Sequence, residues 1–150
     1  MINLKNTQKK VKINLIKLKS DTQKILDILK YPDFDLGIWL TTDATIHKYN
    51  REYRGKDKPT DILSFPNYTD LKAGQHIKAK RQEDKNLGDL IIAPAYAKKD
   101  AANWNQTFEQ HLQMLLVHGI CHLLGYDHIK DEDYKIMHRK ELAILKKLKS

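Results

Sequence analysis

The sequence predicts one α+β domain spanning residues 1–150, a small mixed four-stranded sheet packed with helices. Two observations carry that prediction. Short apolar runs bounded by turn residues alternate with longer stretches of helical periodicity. The length, 150 residues, suits one domain that buries roughly 68–70% of its unfolded surface around a single core.

The elements follow in order. VKINLIKL (11–18) alternates Val11, Ile13 and Leu15 with polar neighbours, the period of a strand. Ser20 or Asp21 can cap a helix whose Ile25, Leu26, Ile28 and Leu29 keep helical spacing. The Tyr31-Pro32-Asp33 turn leads into FDLGIWL (34–40), a second strand, and a short helix follows from Thr42 or Asp43 to about Tyr53. ILSFP (62–66) reads as a strand stopped by Pro66. Residues 67–86 are polar and irregular and are expected to form a mobile loop. LGDLIIA (87–93) is the fourth strand, and Pro94 suits the first turn of the next helix. Thr107 opens an apolar helix, TFEQHLQMLLVHGICHLLG, which Gly125 terminates. A last helix runs from about Asp131 to Lys147.

No apolar run approaches the ~20 residues that cross a bilayer, and the first residues lack the apolar core of a secretory signal. The single cysteine, Cys121, allows no internal disulfide. A cytoplasmic protein with no membrane partner is expected. Net charge is +8, concentrated in residues 1–30, where eight lysines face only Asp21 and Asp27. Such a surface suits a polyanion such as RNA. However, 23 of the 27 basic residues are lysine, which a compositional bias also produces.

The densest chemistry lies in HGICHLLGYDH (118–128). His118 and His122, four apart on a helix, project from one face. After the turn at Gly125, His128 can return to the same point. Three imidazoles suit one Zn²⁺ with a fourth position open, a catalytic type of site. Asp127 can either accept a ring N–H of a ligand histidine or cap the loop. Cys121 reads as a small buried apolar residue rather than a ligand. His111, seven residues before His118 on the same face, either supports the site or lies on ordinary surface.

The histidine and glycine spacing is that of the long zinc-protease motif, in which position 119 is the glutamate general base; here it is Gly119. One explanation is a wider mouth over the metal for a bulkier anionic substrate. The other is close helix packing. Two of the four arginines, Arg51 and Arg54, lie in NREYRGKDKPTDILSFP (50–66), where an arginine fork can hold phosphate bidentately.

HGICHLLGYDH resembles the signature of the YbeY family, departing from it only at Cys121, where the family usually has leucine. NREYRGKDKPTDILSFP and LGDLIIA are similar to the family's other two blocks, in the same order, over about residues 11–148. The resemblance implies a zinc-dependent endoribonuclease specific for single-stranded RNA. It implies action on the small-subunit rRNA precursor at its 3′ end and in ribosome quality control, with the ribosome and assembly factors as partners. By position, His118, His122 and His128 would be the zinc ligands and Arg54 the family's functional arginine. His118 and Arg54 are the candidates for catalysis, and Arg51, Lys56 and Lys58 the candidates for RNA contact. A zinc peptidase and a non-catalytic assembly factor with a structural metal are the rival readings. Gly119 counts against the first, and three ligands rather than four count against the second.

Overall fold

The structure, a computed structural model, describes residues 1–149. It contains a mixed sheet of β1 (Ile2–Asn6), β2 (Asp35–Leu40), β3 (Ile62–Pro66) and β4 (Asn86–Ile92) in the order β1-β2-β4-β3. β1 and β2 pair in parallel, as do β2 and β4, while β3 runs antiparallel to β4. The helices are α1 (Leu15–Ile28), α2 (Asp43–Arg54), α3 (Pro94–Asn103), α4 (Phe108–Leu123) and α5 (Asp131–Leu148). The expected α+β domain with a four-stranded mixed sheet is what forms.

Its first strand is not where alternation placed it. Residues 11–18 lead into and begin α1. Asn14 accepts from the Lys17 amide as N-cap, and Leu18, Thr22, Ile25 and Leu26 make the buried stripe. Val11 is buried, but Ile16 stands 86% exposed. Three alternating apolar residues cannot outweigh a cap followed by two turns of helical spacing. The strand is instead Ile2–Asn6, whose Ile2 and Leu4 pack on the core.

Leu36, Ile38, Leu40, Leu90 and Ile92 present one sheet face to the helices, where α4 supplies Leu116, Ile120 and Leu123 and α1 supplies Ile25 and Leu26. On the opposite face, Ile46 of α2 covers Leu63 and Ile91. α4 packs on β3 and β4 and touches α1, α3 and α5, so it is the central helix. A capping box of Thr107 and Gln110 starts it.

Of the 67–86 segment, residues 67–85 are irregular apart from one 3₁₀ turn at Gln82–Asp84 and Asn86 begins β4, yet the segment is pinned rather than free. Ile77 is buried and its amide donates to the Tyr31 hydroxyl at 2.9 Å, while His76 stacks on the Tyr31 ring. Tyr68 donates to the Asp84 carbonyl. Four apolar residues spread through a polar run (Tyr68, Leu71, Ile77 and Ala79) do the anchoring. They are too widely spaced to show a period.

Candidate metal centre

α4 brings His118 and His122 to one face, and the chain turn after it returns His128. Gly125, at φ +91°, makes that turn, and a Cβ there would collide with the Leu71 carbonyl oxygen. The Tyr126 amide closes the helix end on the Cys121 carbonyl at 3.1 Å. The three rings gather with centroids 4.6 Å (His118–His122), 5.0 Å (His122–His128) and 5.6 Å (His118–His128) apart. One nitrogen from each lies within 4.8 Å of the others.

The hydrogen bonds orient the rings for a cation. His122 donates Nδ1–H to the Tyr126 carbonyl at 2.9 Å, so a neutral His122 turns its Nε2 lone pair inward. His118 Nδ1 lies 2.8 Å from a Glu141 carboxylate oxygen, which selects the same tautomer. The two Nε2 atoms therefore face each other at 3.1 Å. Facing lone pairs repel unless a cation lies between them. Two nitrogens bound to one Zn²⁺ at about 2.0–2.1 Å in a tetrahedron stand about 3.3 Å apart, so the donor set fits that ion. Burial, and then the neighbouring His118 and His128, hold the His122 pKa down to about 4, below its ordinary 6.5. His122 is thus neutral, as a ligand must be, at neutral pH.

Of the two roles open to Asp127, Glu141 on α5 takes the one behind a ligand histidine. The Asp127 carboxylate accepts the His128 backbone N–H at 2.6 Å, the loop-capping alternative. Glu141 is legible in hindsight. Met137, Glu141 and Ile144 share one stripe of α5, and both apolar members are buried, so an acid between them needs a partner. Cys121 is fully buried, its thiol pushed up to about 12 by burial first and the Glu141 charge second, and it lies outside the cluster.

The wider-mouth reading of Gly119 fails, and the packing alternative holds. A Cβ at Gly119 would sit 2.7 Å from Ile62 Cδ1 and 2.9 Å from Leu90 Cδ2, against β3 and β4. The glycine lets α4 settle onto the sheet. His111 is not surface either, since it is only 1% exposed.

Arg54 ends α2 with its side chain exposed and, among the described residues, without an ion-pair or hydrogen-bond partner. Arg51, Lys56 and Lys58 are also exposed, and Arg51 lies 4.0 Å from Asp57. Buried Asn50 donates to the Lys58 carbonyl at 2.8 Å, pinning this basic loop to α2 before it enters β3 beneath α4.

A small α+β fold thus carries an oriented three-imidazole cluster at the end of its central helix, a metal-capable centre. A family model described as Endoribonuclease YbeY matches residues 3–149, and the chain belongs to that family. A relative named Endoribonuclease YbeY from Desulforamulus reducens is 37% identical over 147 residues, covering 95% of this chain and 94% of that protein. One of the same name from Sulfurihydrogenibium is 44% identical over 132 residues, covering 87% and 81%. A human relative of that name is 34% identical, covering 97% and 86%. A solution structure of a Thermotoga maritima protein is similar with a TM-score of 0.64 and 27% identity, covering 99% of this chain and 89% of that one.

Proposed function

We propose that this chain is a Zn²⁺-dependent endoribonuclease that cuts single-stranded RNA. Its place would be the cytoplasm, in 3′-end maturation of the small-subunit rRNA precursor and in ribosome quality control, alongside the ribosome and assembly factors. The observation that carries the reading is the pair of Nε2 atoms 3.1 Å apart, each ring fixed from behind by Glu141 or the Tyr126 carbonyl. Family membership supplies the reaction class.

His118, His122 and His128 would hold the ion. When bound, Zn²⁺ supplies Lewis-acid polarisation of a phosphoryl oxygen and lowers the pKa of water. Glu141 keeps His118 in the tautomer that leaves Nε2 free. Arg54, unpaired and always charged, is suited to clasp the scissile phosphate bidentately and to offset charge developing on it. Arg51, Lys56 and Lys58 add positive charge along the same loop for flanking phosphates. No helix among the described residues is long and apolar enough to cross a membrane.

The test is cleavage of unstructured RNA, duplex RNA and casein by one zinc-loaded sample. Unstructured RNA should be cut, duplex poorly and casein not at all, with RNA cleavage lost in His118→Ala. Terminal 2′,3′-cyclic phosphate on the products would identify the RNA 2′-hydroxyl as attacking group, and its absence would identify water. Casein cleavage without RNA cleavage would mean a peptidase.

A further inference from the structure

Two turns before His118, α4 carries the one histidine of the described chain that is buried, His111. Its Nδ1 lies 2.9 Å from the Gln106 side-chain oxygen, which can only accept, so the neutral ring carries its lone pair on Nε2. That Nε2 has no hydrogen-bond partner. It faces two carboxylates. Asp100 Oδ2 of α3 is 3.8 Å away, and a ring nitrogen of His111 and one oxygen each of Asp61 and Asp100 lie within 4.8 Å of one another. Asp61, just before β3, already uses Oδ1 to accept the Ile62 amide at 2.7 Å, which leaves its other oxygen for the cluster.

A gap of 3.8 Å is too long for a hydrogen bond. It is compatible with two donors sharing an ion, since atoms bound at about 2.1 Å to one centre stand about 3.4 Å apart in a tetrahedron and at most about 4.2 Å. A buried ring nitrogen without a hydrogen-bond partner, beside two carboxylates, calls for positive charge at that point.

We propose that Asp61, Asp100 and His111 form a second divalent-cation site, separate from the three-histidine centre. One imidazole and two carboxylates make a mixed nitrogen and oxygen donor set suited to Zn²⁺ or Mn²⁺. His111 precedes His118 by seven residues, about 10 Å along the helix. That distance exceeds the roughly 3.5–4 Å of paired catalytic ions, so an ion here is not the second ion of a paired catalytic centre. An ion there ties three elements together: the start of β3, where the Arg54 loop ends, α3, and the helix that carries the three histidines. Its effect on catalysis through Arg54 rests on the function proposed above, but ion binding does not.

The experiment uses full-length protein with His118, His122 and His128 all changed to alanine, dialysed separately against Zn²⁺ and Mn²⁺ and counted by elemental analysis. One ion per chain should remain. Adding Asp100→Asn, a near-isosteric change at a side chain that is 31% exposed, should weaken binding at least a hundredfold and abolish the metal-induced rise in melting temperature. Mn²⁺ should also broaden the His111 ring resonances. If the triple variant does not fold, zinc-loaded wild type should hold two ions per chain and Asp100→Asn one. The proposal is overturned if a folded triple variant binds neither metal, or binds one equally well after Asp100→Asn. It is also overturned if His111 is an imidazolium at neutral pH that metal does not displace, which would make a proton the occupant.

Discussion

Putting a side chain on Gly119 tests whether this position serves packing or catalysis. In Gly119→Ala the new methyl meets Ile62 Cδ1 at 2.7 Å and Leu90 Cδ2 at 2.9 Å. Both are short of the roughly 3.5–4.0 Å optimum for carbon atoms. Leu90 is fully buried and Ile62 nearly so, which limits their room to yield. Overpacking of this kind costs about 1–3 kcal/mol. Removing a helical glycine returns about 1 kcal/mol. The net is a destabilisation of about 1 kcal/mol, or about 2–4 °C in melting temperature for a chain of this size. Gly119→Glu is far worse, because it drives an unpaired carboxylate between the helix and the sheet at a cost of several kcal/mol. Urea unfolding of metal-free protein, run beside RNA cleavage, measures both. The Ala variant should lose stability while keeping most activity, and the Glu variant should not fold. A Gly119→Glu protein with wild-type stability but no activity would refute the packing argument, since its side chain would then have to point into the site.

Other consequences can be checked in the same way. Glu141→Gln should keep the fold but weaken zinc binding about 10–100-fold, the usual effect of losing a partner behind a ligand histidine. Asp127→Asn should weaken it much less, and chelator competition ranks the two. Arg54→Ala should slow RNA cleavage by about a hundredfold, the low end of what removing one preorganised donor costs. Arg54→Lys should restore only part of that rate with zinc content unchanged, whereas equal rates for all three proteins would return Arg54 to bulk solvent. Because the folded-state pKa of His122 is depressed from 6.5 to about 4, the unfolded chain binds a proton there that the folded chain does not. The stability of metal-free protein should therefore fall as pH drops from 6.5 towards 4, and His122→Gln should flatten that slope in urea titrations. A wild-type slope unchanged by the substitution would refute the assignment.

What the sequence showed plainly was whatever local physics decides. Thr42, Pro94 and Thr107 start helices where their capping and ring chemistry say they should. The 118/122/128 histidines converge because helical spacing and one glycine turn suffice to bring them together. What stayed hidden depends on partners far along the chain. The glutamate behind His118 is 23 residues away on another helix, so Asp127, adjacent to a ligand, was the visible choice. Gly119 looks catalytic beside His118 until β3 and β4 are seen beneath it. His111 resembles a surface residue until Asp61, just before β3, and Asp100, on α3, are seen beside it. The strand at residues 2–6 shows only two apolar residues in alternation, Ile2 and Leu4, and becomes a strand because β2 is there to pair with it.

RNA cleavage is proposed to depend on an ion held by the three histidines. Metal-stripped protein should be titrated with Zn²⁺ while bound zinc and single-strand RNA cleavage are followed together, beside a folded His122→Ala/His128→Ala variant. Wild-type activity should start from zero and rise in proportion to zinc held at this centre. The variant should bind one fewer ion per chain and stay inactive at every zinc concentration. A variant that keeps its full zinc complement, or cuts RNA at the wild-type rate, would contradict the claim.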